Sequence, residues 1–323
     1  MIDVTQIGSY FLQQPEVAAW PELIDVWHHY AQNAHSWRLP ALACRAVGGV
    51  VDNVVPVVTA VGCCHISIVL VDDILDDDPK GLYRRLGAGV SANFGLAFQS
   101  IAYRIVQQIA EEMGWDTAVK QGMLAELIHL NLKTAYGQHL DVQEILSEDH
   151  YWATVEAKST PYYGAGFYLG ALAGGADEQL AERLRQFGCL IGKIIQISDD
   201  LADVYQTPAS PDWQRSTGNL AILYARLAEH SGRNRFEALL PQIADLAVLE
   251  EAQQILLESG AVSYCIYHLL QTAREARAVL NNCTLAQPLL LQQFLAERIA
   301  HLFELMETSN MPLPTELAAE LLG

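Results

Sequence analysis

His65-Ile66-Ser67-Ile68-Val69-Leu70-Val71-Asp72-Asp73-Ile74-Leu75-Asp76-Asp77-Asp78 runs from an apolar helical stretch straight into five carboxylates. A second stretch, Gln196-Ile197-Ser198-Asp199-Asp200-Leu201-Ala202-Asp203, repeats the same DDxxD spacing at the end of another apolar run. Asp72 and Asp76 stand four residues apart, so they share one helix face, as do Asp73 and Asp77. Asp199 and Asp203 form the matching pair in the second cluster, with Asp200 alongside. Asp78 replaces Asp76 as the outer group if the helix stops there, which leaves the choice among Asp76, Asp77 and Asp78 open. Clustered like charges at the ends of apolar helices repel and are costly to desolvate. A cation must compensate, and hard divalent ions held by oxygen and shared with a phosphate-bearing substrate are the simplest candidates. Mg²⁺ fits, because it takes one or two carboxylates per ion together with waters and phosphate oxygens. A single DDxxD also describes an ordinary solvated helix end; two of them, each closing an apolar helix, favour the metal cage.

Helical periodicity extends over almost the whole chain, and no alternating run demands a sheet. Helices are expected over residues 16–33, 37–48, 52–76, 89–113, 116–141, 149–173, 177–204, 217–229, 233–258, 260–280 and 286–307, separated by short Gly, Pro and Asn punctuation. The expected fold is all-α: one domain over residues 1–323, a bundle of long antiparallel helices around a central cavity. Of the 323 residues, 51% are hydrophobic and 18% charged, which predicts a large core. The net charge of −19 excludes a general affinity for nucleic acid or anionic lipid, both of which need basic patches. The apolar stretches are expected to be interrupted before the ~20 residues of a membrane span. No basic-then-apolar leader opens the chain. Cys44, Cys63, Cys64, Cys189, Cys265 and Cys283 lack metal-ligand or disulfide spacing and read as free thiols of a cytoplasmic protein. Pro161 falls inside a helical pattern and removes the donor for the carbonyl of Ala157, beside Lys158. That carbonyl either stabilises positive charge in the cavity or marks a packing kink. Tyr162, Tyr163 and Phe167, just beyond it, and His65, seven residues before Asp72, read first as core residues.

Five segments in order carry a resemblance: His65 to Asp73, Gly137-Gln138-His139-Leu140-Asp141, Lys158-Ser159-Thr160, Phe187-Gly188 through Asp203, and Gly218 to Ala225. Together they resemble the trans-isoprenyl diphosphate synthases (polyprenyl synthetases) of the class I isoprenoid synthase fold. The resemblance implies that an allylic diphosphate binds through three Mg²⁺ ions to both clusters, ionises, and is attacked by isopentenyl diphosphate. It implies metal ligands or near-ligands at Asp72, Asp73, Asp76, Asp199, Asp200 and Asp203. Lys158 and Thr160 would serve the diphosphate, Gln196 would face the developing cation, and Gln138 and Asp141 would line the substrate site. Cys64, Ser67 and Ile68 occupy the positions that limit product length. Their small or medium size, with no aromatic plug, implies a product of C20 or longer. It also implies a homodimer paired near residues 89–130.

The second-substrate half departs from the family pattern. The family's Gly-Lys-x-Arg-Pro segment is here His35-Ser36-Trp37-Arg38-Leu39-Pro40, with Arg38 the one remaining cation. Arg84-Arg85-Leu86-Gly87 echoes the expected Arg-Arg-Gly element at altered spacing, and the lysine expected after the second cluster is missing, with Arg215 nearest. Chain elongation therefore stands beside three alternatives: a terpene cyclase, a prenyltransferase with another acceptor such as a peptide residue, and a non-catalytic partner subunit.

Overall fold

The computed structural model describes the backbone of residues 4–32, 34–215 and 218–308, and the side chains of residues 5–32, 35–213 and 218–300. Helix follows helix: α1 (Val4–Leu12), α2 (Pro15–Ala18), α3 (Pro21–Ala31), α4 (Leu39–Ala46), α5 (Val55–Leu75), α6 (Tyr83–Leu86), α7 (Ala88–Glu112), α8 (Thr117–Asp141) and α9 (Glu148–Lys158). The second half continues with α10 (Thr160–Ala173), α11 (Glu178–Val204), α12 (Pro211–Arg215), α13 (Leu220–Leu227), α14 (Arg233–Leu239), α15 (Leu246–Glu258), α16 (Ala261–Asn281) and α17 (Pro288–Thr308). Short 3₁₀ turns precede α4 and α5 and follow α14. No strand occurs among the described residues, in agreement with the all-α expectation.

Local chemistry sets the helix starts. Asp116, Ser147, Asp177, Asn219 and Asp245 each accept an amide hydrogen of the first turn that has no intrahelical acceptor. The expected helix 149–173 breaks at Ser159 into α9 and α10, because Pro161 offers no amide to the Ala157 carbonyl. The expected helix 233–258 divides at Leu240–Gln242, where Pro241 stops one helix and Asp245 caps the next. Pro21 likewise starts a new helix inside the expected 16–33. Helix α1 falls before the first expected helix.

Helix α5 is apolar on nearly every side and lies inside the bundle, as such a helix must. The stretch Val51–Leu75 is long and apolar enough to cross a membrane, which corrects the expected interruption of such runs; 72% of its apolar window is buried within the fold. It packs on α7, while α10 packs on α11 and α4, and α8 on α9. Two glycines permit close approaches between helices. A Cβ on Gly137 of α8 would stand 2.2 Å from the Lys158 amide nitrogen, and one on Gly188 of α11 would stand 2.4 Å from the Tyr163 carbonyl oxygen. All six cysteines are free, four of them buried.

Candidate active site

Helices α5 and α11 deliver their acidic ends to one cleft. It has a volume of about 120 Å³ and its wall includes Asp76, Asp141, Lys158, Gln196, Asp203 and Asp212. One aspartate of each cluster, Asp76 of the first and Asp203 of the second, therefore faces the shared space.

Around the first cluster one ammonium gathers three carboxylates. Lys158 Nζ lies 2.6 Å from Asp141 Oδ2, 3.0 Å from Asp72 Oδ1 and 3.8 Å from Asp76 Oδ2. Burial works against the lysine charge, but Asp72, Asp141 and Asp76 outweigh it and hold its pKa above the ordinary lysine value. Gln138 Nε2 donates to Asp72 Oδ1 and to the Ile68 carbonyl, both at 3.4 Å. Burial raises the Asp72 carboxyl despite Lys158, and burial together with Asp78 pushes Asp73 up to about 6. Tyr30 donates its hydroxyl to Asp73 Oδ2 at 3.3 Å. The choice of outer group resolves on the backbone. Helix α5 ends at Leu75, and Asp77 takes a left-handed φ of 55°, which Asp tolerates better than most residues. Asp77 turns away to accept from Tyr83 Oη and Arg84 Nη2, each at 2.7 Å, and Asp78 accepts the Lys80 amide at 2.7 Å. Asp76 alone of the three lines the cleft.

In the second cluster Asp200 is 1% exposed and lies behind the wall rather than on it. Tyr151 Oη and the Leu220 amide donate to its Oδ2 at 2.6 and 2.8 Å, and Gln196 Nε2 donates to its Oδ1 at 2.8 Å. Burial nevertheless pushes its carboxyl up to about 8. Burial, then Asp212 and Asp199, push Asp203 up to about 7. Gln196 Oε1 accepts from Ser159 Oγ at 2.6 Å, so the amide links the α9–α10 break to Asp200.

Several other predicted residues lie elsewhere. Thr160 Oγ1 donates to the Glu156 carbonyl at 3.0 Å and does not line the cleft; Ser159 does. Arg38 lines a separate groove with Arg45 and Phe294. Arg84 folds back on Asp77, and Arg85 is exposed on the surface. The Arg215 side chain lies outside the described residues. Cys64 and Ser67 are buried and Ile68 half-buried on α5. Asn131 Nδ2 reaches Cys64 Sγ at 3.7 Å and Tyr103 Oη at 2.9 Å. An aromatic residue from α7 thus stands next to the Cys64 level; sequence spacing on α5 cannot see a side chain from another helix. His65 is a core histidine as expected: Trp37 Nε1 donates to its Nδ1 at 3.2 Å, and burial pushes its pKa down to about 4. Sequence reasoning missed Asp212, Tyr151, Ser159 and Asn219. Asp212 sits at the start of a five-residue helix, a signal too short to separate it from any acidic helix start.

Among the described residues no three acidic, histidine or cysteine side chains are arranged to hold a metal ion as they stand. The donor set still fits a hard cation: it is all carboxylate, and where one set of carboxylates converges a lysine ammonium stands among them.

The polyprenyl synthetase family profile matches residues 37–254. A geranylgeranyl diphosphate synthase of Methanosarcina mazei is 29% identical over 198 residues, 57% of this chain and 60% of that enzyme. The chain thus spans about 60% of the length of that relative. The solved geranylgeranyl pyrophosphate synthetase of Pyrococcus horikoshii superposes with a TM-score of 0.77 at 17% identity, over 91% of this chain and 95% of that one. The geranylgeranyl pyrophosphate synthase of Corynebacterium glutamicum, solved with calcium and isoprenyl diphosphate, gives 0.74 at 18% identity over 93% and 94%. The superpositions establish the isoprenoid synthase fold, and with a profile match over more than half of its length the chain belongs to the polyprenyl synthetase family.

Proposed function

We propose that this protein is a Mg²⁺-dependent prenyltransferase that joins an allylic diphosphate to isopentenyl diphosphate and releases a longer all-trans polyprenyl diphosphate. The observation that carries the reading is the shared cleft: Asp76 from the end of α5 and Asp203 from the end of α11 line one space with Lys158. Asp72 and Asp76 on one side and Asp199 and Asp203 on the other would hold three Mg²⁺ ions with the diphosphate, while Asp73 and Asp200 set the position of their neighbours. Bound Mg²⁺ supplies Lewis-acid charge that makes diphosphate a better leaving group.

The residues of the chain do the rest. Lys158 places a permanent positive charge on the diphosphate side. Tyr151, Gln196 and the Leu220 amide hold Asp200 in one rotamer. Ser159 holds Gln196, and the Ala157 carbonyl, freed by Pro161, directs a dipole beside Lys158. The C1–O bond of the allylic diphosphate breaks and its electron pair leaves with the diphosphate. The terminal alkene of isopentenyl diphosphate supplies the pair for the new C–C bond, and loss of a proton restores the alkene. We place the product at C20 or longer, the enzyme in a reducing cytoplasm where six free cysteines persist, and the working unit as one 1–323 domain paired as a homodimer. Exposed Leu96 on α7 and Ile128, Leu132 and Tyr136 on α8 support the pairing face.

A second reading is favoured by the wall where a second diphosphate would need cations. Trp37 is fully buried against His65, and Tyr162 lies over the His65 ring at 5.1 Å with its hydroxyl 3.3 Å from Ser36 Oγ. Arg38, Arg84 and Arg85 are not gathered at the cleft. That wall suits cyclisation of the allylic group or its transfer to an acceptor without a diphosphate. Incubation with geranyl, farnesyl or geranylgeranyl diphosphate and Mg²⁺, with and without isopentenyl diphosphate, separates these outcomes. Longer diphosphates that require isopentenyl diphosphate support elongation. Hydrocarbon formed without it supports a cyclase. No turnover of any substrate returns the chain to the role of a non-catalytic partner subunit.

A further inference from the structure

Beside α13 lies a second cavity of about 220 Å³, lined by Leu220, Leu223, Tyr224, Leu227 and Tyr264 together with Glu148. Glu148 is held rather than free to swing. Trp152 Nε1 and Tyr264 Oη both donate to its Oε1, at 2.8 and 2.6 Å, and His268 Nε2 lies 3.8 Å from the same oxygen. Its Oε2 has no hydrogen-bond or ion-pair partner among the described residues, and the side chain is 42% exposed. Burial pushes this carboxyl up, yet the Tyr264 and Trp152 bonds and the neighbouring His268 leave it below the ordinary glutamate value, so it carries charge at neutral pH. The Tyr224 and Tyr264 rings stack at 4.5 Å beside it. A fixed anionic oxygen, aromatic faces and leucine walls are the components that recognise an organic cation, by a charge-assisted hydrogen bond at one end and cation–π and apolar contact along the body.

We propose that this cavity is a binding site for a small primary ammonium with an aromatic or alkyl body, its ammonium on Glu148 Oε2 and its body against Tyr224, Tyr264 and Leu223. Charge complementarity favours this guest in a protein of net charge −19. The cavity is smaller than those that take drug-sized ligands, which limits the guest to a compact amine. The site also touches the catalytic end of the fold, because α13 supplies both the cavity wall and the Leu220 amide that binds Asp200.

The full-length protein is titrated with phenethylammonium, followed by calorimetry and by the fluorescence of its tryptophans, among them Trp152. Phenethyl alcohol serves as the neutral isostere. Saturable binding of the ammonium, at least tenfold tighter than the alcohol and weakened at least tenfold in Glu148→Gln, is the expected result. Equal affinity for the two compounds would give the cavity to a neutral apolar guest and overturn the proposal, as would binding unchanged in Glu148→Gln or no saturable binding to the wild-type protein. Leu223→Trp fills the cavity and leaves the carboxylate and its two donors, Trp152 and Tyr264, unsubstituted. It is expected to abolish binding while circular dichroism stays native, and retained affinity in a folded Leu223→Trp protein would place the ammonium elsewhere.

Discussion

Lys158 Nζ stands 2.6 Å from Asp141, 3.0 Å from Asp72 and 3.8 Å from Asp76, so one ammonium offsets three carboxylates. Lys158→Met leaves those charges facing one another. The side chains involved are 19–31% exposed, so the expected loss in metal-free buffer is roughly 1–3 kcal/mol, below the ~3–5 kcal/mol of a broken fully buried pair. Added Mg²⁺ is expected to restore part of that loss, and urea unfolding with and without Mg²⁺ checks it; a variant indifferent to Mg²⁺ would show that the carboxylates do not share an ion. Tyr103 makes a different kind of test. Its hydroxyl meets Asn131 beneath Cys64, and Tyr103→Ala is expected to shift products toward longer chains, read by chromatography of the dephosphorylated prenols. Glu126 gives a pH signature away from the cleft. Burial lifts its carboxyl from 4.5 to about 7, against Arg185 and with help from Glu182 and Glu178. A raised acid pKa means that its share of stability is fully present below pH 4.5 and is lost as pH rises through about 7. Glu126→Gln is therefore expected to raise the melting temperature at pH 8, by about 2–4 °C for an effect near 1 kcal/mol, and to leave it unchanged at pH 4.

At the scale of elements, the Gly137-Gln138-His139-Leu140-Asp141 stretch acquires a physical meaning. Gly137 lets α8 touch the backbone of α9, Gln138 reaches Asp72, and Asp141, four residues on, reaches Lys158. A methyl at Gly137 meets backbone atoms at 2.2 and 2.4 Å that cannot yield by side-chain rotation. Gly137→Ala is expected to cost about 1–3 kcal/mol through overpacking and to lower prenyl transfer by moving Asp141 off Lys158. Denaturation and turnover are measured together, and a variant with full stability and full activity would refute the contact. Helices α5, α8 and α11 were readable in advance because the apolar run of α5 and the aspartate caps of α8 and α11 are local signals. The break at Ser159 was only half readable. Pro161 announced a lost hydrogen bond, but whether the helix would kink or divide depended on Gly188 and Gly192 of α11, which pack against Ser159, Thr160 and Tyr163.

For the whole molecule, the outer face of α8 presents Ile128, Leu132 and Tyr136 at 54%, 71% and 53% exposure, four residues apart and therefore in line. Leu96 on the neighbouring α7 is 64% exposed. Sedimentation velocity is expected to give a dimer for the wild-type chain and a shift to monomer for Leu132→Glu; a monomeric wild type would remove the pairing from the account. The sequence by itself determined the all-α class and the two carboxylate clusters, because helical periodicity and i, i+4 spacing are properties of neighbouring residues, and its five ordered segments carried the family resemblance. Only the tertiary structure decided that Asp76 rather than Asp77 or Asp78 faces the cleft, that Asp200 lies buried under Tyr151, and that Arg38 and Arg84 point elsewhere. Those outcomes depend on which distant helix supplies the opposing charge, hydroxyl or backbone amide, and one-dimensional spacing carries no record of that pairing.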